Sequence, residues 1–212
     1  MVDANELINY CRPYYPPIAN TVVNNANPTC QCYTLGDVAM RSNLARKAFN
    51  VSGDGIRVGV ISDSYNKNKI FPNNPSATDI SNGDLPVTES IHIHDFQFGK
   101  RSDEGRAMMQ IIHDVAPGAK LSFGTGFLSS ANFAQRIGLL VTQDSCDITV
   151  DDVTYITEPF FQDGQIAKAV DAVAAQGVAY FSAAGNFSDK SYEGTFNPVP
   201  APSGIEGDAH NF

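Results

Sequence analysis

Apolar positions follow two different periods along residues 36–190. Short apolar runs are typical of buried strands, whereas apolar residues at the helical spacing are typical of one face of a helix. We predict strands at 56–61, 90–96, 120–125, 147–150 and 178–183, and helices at 36–49, 103–115, 130–143 and 163–177, the last capped by Asp163. Strands that alternate with helices form βαβ units, so we predict an α/β fold whose parallel sheet carries helices on both faces.

The two ends of the chain have a different pattern. Residues 1–35 contain clustered Pro, Tyr and Asn, and we predict an extended N-terminal arm there. Residues 66–88 are rich in Asn, Pro, Gly, Asp and Ser and are predicted as a loop, and no further periodic element is expected beyond Asn186. The chain therefore divides into the arm, an α/β domain over 36–190, and a loop over 191–212 that leads to a missing C-terminal segment.

The negative net charge of the chain limits the classes of partner that it is expected to bind. It carries 14 Lys and Arg against 23 Asp and Glu, a formal net charge of −9. This acidity argues against nucleic acid and anionic membrane surfaces, since both bind basic patches. No apolar run approaches the ~18 residues of a membrane span. The first residues show neither the basic nor the apolar region of a signal peptide, so none is predicted in the chain as it stands.

Four cysteines lie at Cys11, Cys30, Cys32 and Cys146. A disulfide bond from Cys11 to Cys30 or Cys32 would constrain the arm and would suit an oxidising compartment. Free thiols are the alternative. The spacing of Cys30 and Cys32 lacks the C-x-x-C pattern of redox or zinc sites. Cys146 directly precedes an apolar run, which predicts a buried thiol.

Carboxylates follow two of the predicted strands. Asp63 ends the strand at 56–61, and Asp151 and Asp152 follow the strand at 147–150. Glu104 opens a helix, where the helix dipole alone favours a carboxylate. Ligands of parallel sheets bind beyond the carboxyl ends of the strands. Several carboxylates at that edge would move their pKa values apart, the usual arrangement of an acid/base pair.

Neither a nucleotide cofactor nor a metal is predicted. No glycine-rich string follows a strand with the full phosphate-binding spacing. His92 and His94 would lie on one face of a strand, but a third ligand at a fixed spacing is absent from the sequence. We therefore predict that both histidines are surface residues.

Three sequence blocks resemble those of subtilisin-like serine peptidases, the subtilase family. Residues 55–64, GIRVGVISDS, are similar to the strand that ends in the triad aspartate. Residues 103–119, which run from DEGR to APGA, are similar to the block in which the catalytic histidine precedes a glycine and opens a helix. Residues 177–186, ending in AAGN, are similar to the strand whose terminal Asn supplies the oxyanion hole. The blocks follow the order of the family.

This resemblance implies three catalytic residues. Asp63 corresponds to the triad aspartate, with Ser62 as the alternative one residue away, and Asn186 corresponds to the oxyanion donor. Glu104 stands where subtilases have histidine. The related sedolisins use a glutamate at a similar place with a second acid one turn along the helix, where this chain has Met108. Glu104 would take the proton of a serine nucleophile, and Asp63 would share that proton or orient Glu104.

The resemblance also implies a substrate cleft. Asp152, Val153, Thr154 and Tyr155 lie where subtilases line it, and a polypeptide substrate would pair with that edge as a strand. No Gly-Thr-Ser string, in which the family carries its nucleophile, follows Asn186. We therefore expect the N-terminal part of a subtilisin-like serine endopeptidase, with a three-layer α/β/α fold that is incomplete at its C-terminus and inactive without its remainder.

Such a protein would be secreted or otherwise extracytoplasmic. Its partners would be a polypeptide substrate and the C-terminal remainder of the same protein, and it would need no cofactor for catalysis. The alternative is a catalytically inactive, subtilase-like binding module, in which Asp63, Glu104 and Asp152 form a structural acid cluster able to hold a cation such as calcium. A third interpretation is an unrelated doubly wound domain that binds a small molecule at its strand ends.

Overall fold

A parallel sheet lies at the centre of the computed structural model, which describes residues 18–19, 34–67, 75–95, 101–187 and 193–211. The strands are β1 (Ile18–Ala19), β2 (Arg57–Ser62), β3 (Ile91–His94), β4 (Lys120–Thr125), β5 (Ile148–Asp151), β6 (Val153–Thr154), β7 (Ala179–Ser182), β8 (Pro198–Pro200) and β9 (Asp208–His210). The helices are α1 (Leu35–Ala39), α2 (Ser42–Phe49), α3 (Ser76–Asn82), α4 (Glu104–Val115), α5 (Ser130–Thr142) and α6 (Gln165–Ala174), with a 3₁₀ turn at Thr88–Ser90. Five strands pair in parallel in the order β3-β4-β2-β5-β7.

Helices cover both faces of this sheet. Val60 of β2 belongs to a buried cluster with Met109 of α4, whereas Ile61 belongs to a second cluster with Ile137 of α5 and Val173 of α6. The alternation follows from the strand period, which turns successive side chains to opposite faces of the sheet. The predicted α/β class, a parallel sheet between two helical layers, is therefore confirmed.

Most elements of the sheet lie where the apolar pattern predicts them. β4 begins at Lys120 and ends at Thr125, as predicted, and α4 and α5 each differ from the prediction by one residue at one end. β2 and β5 begin and end one residue later than predicted. The pattern is strong in β2 and β4 because nearly every residue of these two strands is buried, on both faces of the sheet.

The structure corrects the prediction around the first helices. The helix predicted over 36–49 is divided into α1 and α2, because Arg41 between them has a left-handed φ of 60° that interrupts the helical bonding. The predicted loop over 66–88 contains α3, whose buried Asp79 pairs with Arg106 of α4 at 3.2 Å. Local composition cannot predict a helix that depends on so distant a partner.

Two further predictions were wrong near the C-terminus. Asp163 does not cap α6, since Gly164 occupies the N-cap position without a side-chain hydrogen bond. Beyond Asn186, where no element was expected, β8 and β9 pair as antiparallel strands. Pro198 and Pro200 obscure β8 in the sequence, because proline is rare inside strands and is tolerated at sheet edges.

Cys146 is a buried free thiol, as predicted. It packs in the cluster that joins α5 and α6 to the sheet, and burial raises the pKa of the thiol to about 11. A thiol with so high a pKa is protonated and behaves as a small apolar side chain. Cys11, Cys30 and Cys32 lie outside the described residues, so their pairing stays a prediction.

Gly105 allows α4 to pack closely against the sheet, so a larger residue at this position should lower stability. A Cβ at this position would collide with the ring of Phe123 and lie 2.9 Å from the carbonyl oxygen of Ser64. We expect Gly105→Ala to lower the free energy of unfolding by about 3 kcal/mol, as overpacking does in a filled core. Gly138 of α5 is a matched control because no atom lies within 4 Å of its added Cβ.

Urea denaturation of both variants checks this expectation. Gly138→Ala should raise the free energy of unfolding by roughly 0.5–1 kcal/mol, because alanine is the better helix former. Equal effects of the two substitutions would contradict the close approach at Gly105.

Candidate active site

Asp63 joins the end of β2 to the start of α4. Its buried carboxylate accepts hydrogen bonds from the Ser102 amide at 2.8 Å and the Ser102 hydroxyl at 2.7 Å. The other carboxylate oxygen accepts from the backbone amide of Glu104 at 3.2 Å. The first amides of a helix have no partner within the helix, so this carboxylate satisfies one of them and fixes the backbone of Glu104.

A second set of buried polar contacts holds the residue before α4. The Ser64 hydroxyl donates to the Asp103 carboxylate and accepts from the Asp103 amide, each at 2.9 Å. Arg106 contacts the carboxylates of Asp103 at 3.5 Å and Asp79 at 3.2 Å. Asp103 has a left-handed φ of 60°, an unfavourable conformation that these contacts maintain. The backbone of Glu104 is thus held by Asp63 and by the contacts that fix the preceding residue, Asp103.

Glu104 and Asp152 form a carboxyl pair across the edge of the sheet. Asp152 directly follows β5 and is only 8% exposed. Burial, followed by the charge of Glu104 and a hydrogen bond between the two carboxyls, raises the pKa of Asp152 to about 8, against the opposing effect of the nearby Ser62 side chain. Asp152 therefore keeps its proton near neutral pH.

The neighbouring Asp151 has a different environment. Its carboxylate accepts from the hydroxyls of Tyr180 at 2.7 Å and Ser182 at 3.1 Å, and from the amide of Val153 at 3.1 Å. Burial raises the pKa of Asp151, although these hydrogen bonds oppose the rise. Asp151 therefore ties β5 to β6 and β7, whereas Asp152 contacts Glu104.

The sequence-predicted site residues lie in two groups. The structure brings Asp63, Glu104 and Asp152 together at the carboxyl ends of β2 and β5. Asn186 is exposed on the segment after β7, and its side chain has no hydrogen-bond partner among the described residues. Ser62, the alternative to Asp63, is buried against Asp152 rather than at the start of α4. Asp63 contacts the backbone amide of Glu104, and the carboxyl partner of Glu104 is Asp152.

Tyr155 is largely a core residue. Its hydroxyl donates to the carbonyl of Gly126 at 2.5 Å, and its ring meets Phe133 edge to face at 5.7 Å. The same residue borders an open cavity of about 670 Å³. The other lining residues are mostly apolar and come from the end of β6 and from the segments that follow β6 and β7: Thr154, Ile156, Glu158, Pro159, Phe160, Ala183, Ala184 and Phe187.

Two sets of contacts, one at the site and one beside β3, were invisible in the sequence. Ser102 carries no motif, yet it supplies two of the hydrogen bonds to Asp63. Asp144 binds both His92 at 3.0 Å and His94 at 2.8 Å, so the predicted surface histidines share a buried carboxylate. Burial would raise the pKa of Asp144, but the hydrogen bonds from His94, His92 and Ser122 lower it overall.

The described part of the chain offers neither a membrane helix nor a metal cluster. None of its helices is both long and apolar enough to cross a bilayer. It also holds no group of three His, Cys, Asp or Glu side chains arranged to bind a metal ion.

The raised pKa of Asp152 predicts how stability changes with pH. Its folded-state pKa, about 8, lies above its ordinary value of 3.8, so the protonated carboxyl stabilises the fold. This contribution is complete below about pH 4 and is lost as the pH rises through about 8. We expect the melting temperature of the parent to fall by about 5 °C between pH 5 and 9, and that of Asp152→Asn to fall by less than half as much.

Thermal melts across this pH range check the expectation. Asp171→Asn is the matched control, because Asp171 is exposed on α6 and its replacement should leave the pH dependence of the parent unchanged. A parent whose melting temperature is flat from pH 5 to 9 would contradict a protonated Asp152.

The comparisons with known proteins found only limited similarity to this chain. No family model and no curated protein matches this chain. Among solved structures, it is similar to the MycP3 protease from the type VII (ESX-3) secretion system, with 15% sequence identity and a TM-score of 0.45. The alignment covers 94% of this chain and 59% of MycP3, so the chain spans less than two thirds of that structure. A functional assignment must therefore come from the residues of this chain.

Proposed function

We propose that this chain is the N-terminal part of a subtilisin-like serine endopeptidase in which Glu104 replaces the catalytic histidine. The carboxyl pair of Glu104 and Asp152 carries this proposal. It places an ionisable group at the carboxyl edge of the sheet, where ligands of parallel sheets bind. The three subtilase-like sequence blocks support the same assignment, since each contributes a residue to this edge or to the segment after β7.

In this proposal Glu104 acts as the general base. Its carboxylate accepts the hydroxyl proton of a serine from the remainder of the protein, while the serine oxygen bonds to the substrate carbonyl carbon. The Asn186 amide donates to the resulting oxyanion. Glu104 then returns the proton to the leaving amine as the C–N bond breaks. The carboxyl of Asp152, which keeps its proton, pairs with the Glu104 carboxyl, and Asp63 fixes the Glu104 backbone.

The setting of the proposed enzyme follows from the same resemblance. Its substrate is a polypeptide that pairs with β6, where Val153 and Thr154 lie next to Asp152. The protein acts outside the cytoplasm and uses no cofactor in catalysis. The remainder of the protein supplies the serine and completes the site.

A second candidate is a catalytically inactive binding module of the same fold. The hydrogen bonding of Asp63 favours it, because this carboxylate is occupied by the backbone and side chain of Ser102 and by the backbone of Glu104. An acid cluster of this kind can hold a helix start in place without any chemistry.

A fluorophosphonate probe applied to the full-length protein separates the two candidates. We expect covalent labelling of one serine beyond residue 212, and peptidase activity that is highest on the acid side of about pH 8, where Asp152 keeps its proton. Labelling and activity should disappear together when that serine is changed to alanine. No labelling at any pH would favour the binding module, and an optimum above pH 8 with full activity after Glu104→Ala would rule out the proposed base.

A further inference from the structure

Ser62 ends β2 with a buried hydroxyl beside the carboxyl pair. Its side chain is fully buried, and its Oγ has no hydrogen-bond partner among the described residues. A buried hydroxyl without a partner is destabilising, and native structures contain few such groups. A neighbouring carboxyl that gains and loses a proton would supply a partner in one of its two states.

The strand register places Ser62 and Asp152 side by side. Ile61 pairs with Asp151, so the residues that follow them are neighbours at the ends of β2 and β5. Successive side chains of a strand point to opposite faces of the sheet. Ile61 packs in the cluster on the side of α5 and α6. Ser62 therefore faces the side of α4, the helix that begins with Glu104.

We propose that Ser62 is a positioning residue whose hydroxyl turns onto the Asp152 carboxylate and holds it when Asp152 releases its proton. A serine hydroxyl carries one donor hydrogen and rotates to suit its partner. While Asp152 keeps its proton, the carboxylate that needs this donor is absent, and the hydroxyl stays unpaired. This inference rests on the proposed function, because it makes Ser62 the residue that sets the upper pH limit of the proposed activity.

Two charged side chains act on Asp152 from the elements around it. Burial, the charge of Glu104 from α4 and the charge of Asp151 from β5 raise the pKa of Asp152, whereas the Ser62 side chain lowers it. Asp63, which follows β2, accepts a hydrogen bond from the start of α4. Ser62 is thus a neutral donor placed where the surrounding charges oppose the ionised carboxylate.

Titration of the Asp152 carboxyl in the full-length protein tests this proposal without relying on activity. In protein labelled with carbon-13 at the aspartate carboxyls, the resonance absent from Asp152→Asn identifies the group. We expect its midpoint in Ser62→Ala to lie about one pH unit above that of the parent, because the ionised carboxylate loses a hydrogen bond. The alkaline limb of kcat/KM should move upward by the same amount.

Thr149→Val is the matched control for this experiment. Thr149 of β5 is also fully buried, and its Oγ1 likewise has no hydrogen-bond partner within the described part of the chain. Valine replaces this hydroxyl by a methyl group, so the midpoint of Asp152 should stay that of the parent. Ser62→Cys keeps a side chain of similar size with a weak donor, and its midpoint should lie between those of the parent and Ser62→Ala.

The outcomes separate this proposal from the proposed function. An unchanged midpoint in Ser62→Ala would overturn the contact, as would an equal shift in Thr149→Val, since either result leaves Ser62 without a specific effect on Asp152. If Ser62→Ala does not fold, the shift in Ser62→Cys decides in the same way. A raised midpoint in a protein without peptidase activity would support the contact and count against the proposed endopeptidase function.

Discussion

Replacing Glu104 by glutamine in the full-length protein is expected to lower kcat/KM for a peptide substrate by roughly 10³-fold or more. Glutamine keeps the size and hydrogen-bonding capacity of the side chain but cannot accept and return a proton. The backbone of residue 104 keeps its contact with Asp63, so the fold should be retained. Steady-state kinetics at pH 6, together with a thermal melt, measure the two effects separately.

Glu89 provides the matched control for this experiment. It is an exposed glutamate in the 3₁₀ turn before β3, on an element that does not contribute to the site. Glu89→Gln removes one carboxylate of the same kind and should change kcat/KM by less than about twofold, as is usual for a surface substitution. Comparable losses in the two variants would point to a general effect of charge, and the assignment of Glu104 as the base would fail.

Asn186→Ala is expected to lower kcat by roughly 10²–10³, with little change in KM. An oxyanion donor interacts with charge that develops in the transition state, so its loss affects turnover more than ground-state binding. The position after Gly185, which has a φ of 82°, and the exposure of Asn186 leave its amide accessible to a bound substrate.

Asn82→Ala serves as the control for Asn186, because Asn82 ends α3 far along the chain from the proposed oxyanion site. Activity of this control should match that of the parent. A lowered kcat/KM in Asn186→Ala that arises entirely from KM would instead place Asn186 in substrate binding.

The centre of the sheet was predictable because β2 and β4 are buried on both faces. β2 is a nearly continuous apolar run, and β4 after Lys120 carries only small residues around Leu121 and Phe123, so both segments indicate strands with little help from distant residues. α3 was not predictable, because its burial depends on an ion pair between Asp79 and Arg106. β8 was missed for a different reason, since its prolines remove the usual strand pattern.

The sequence predicts which carboxylates lie at the site, but it does not predict which of them contacts the side chain of Glu104. Asp63 and Asp152 both follow neighbouring strands, so the sequence places both carboxylates at one edge of the sheet. Which of them meets the side chain of Glu104 depends on the direction in which each strand end turns its side chain and on the approach angle of α4. Both depend on the tertiary structure. In this structure Asp63 contacts the Glu104 backbone, and Asp152 contacts the Glu104 carboxyl.

The central place of β2 has a consequence for the order in which the molecule assembles. Arg57 pairs with Lys120 and Val58 pairs with Ile148, so each neighbour of β2 is contributed by a distant part of the chain. Closing such long loops makes folding slow, since the entropy is lost before the contacts form. The carboxyl pair needs both β2 and β5 in place, and it therefore forms late. A nascent chain would carry no assembled acid pair, so the peptidase activity proposed above could not act on its own unfolded segments.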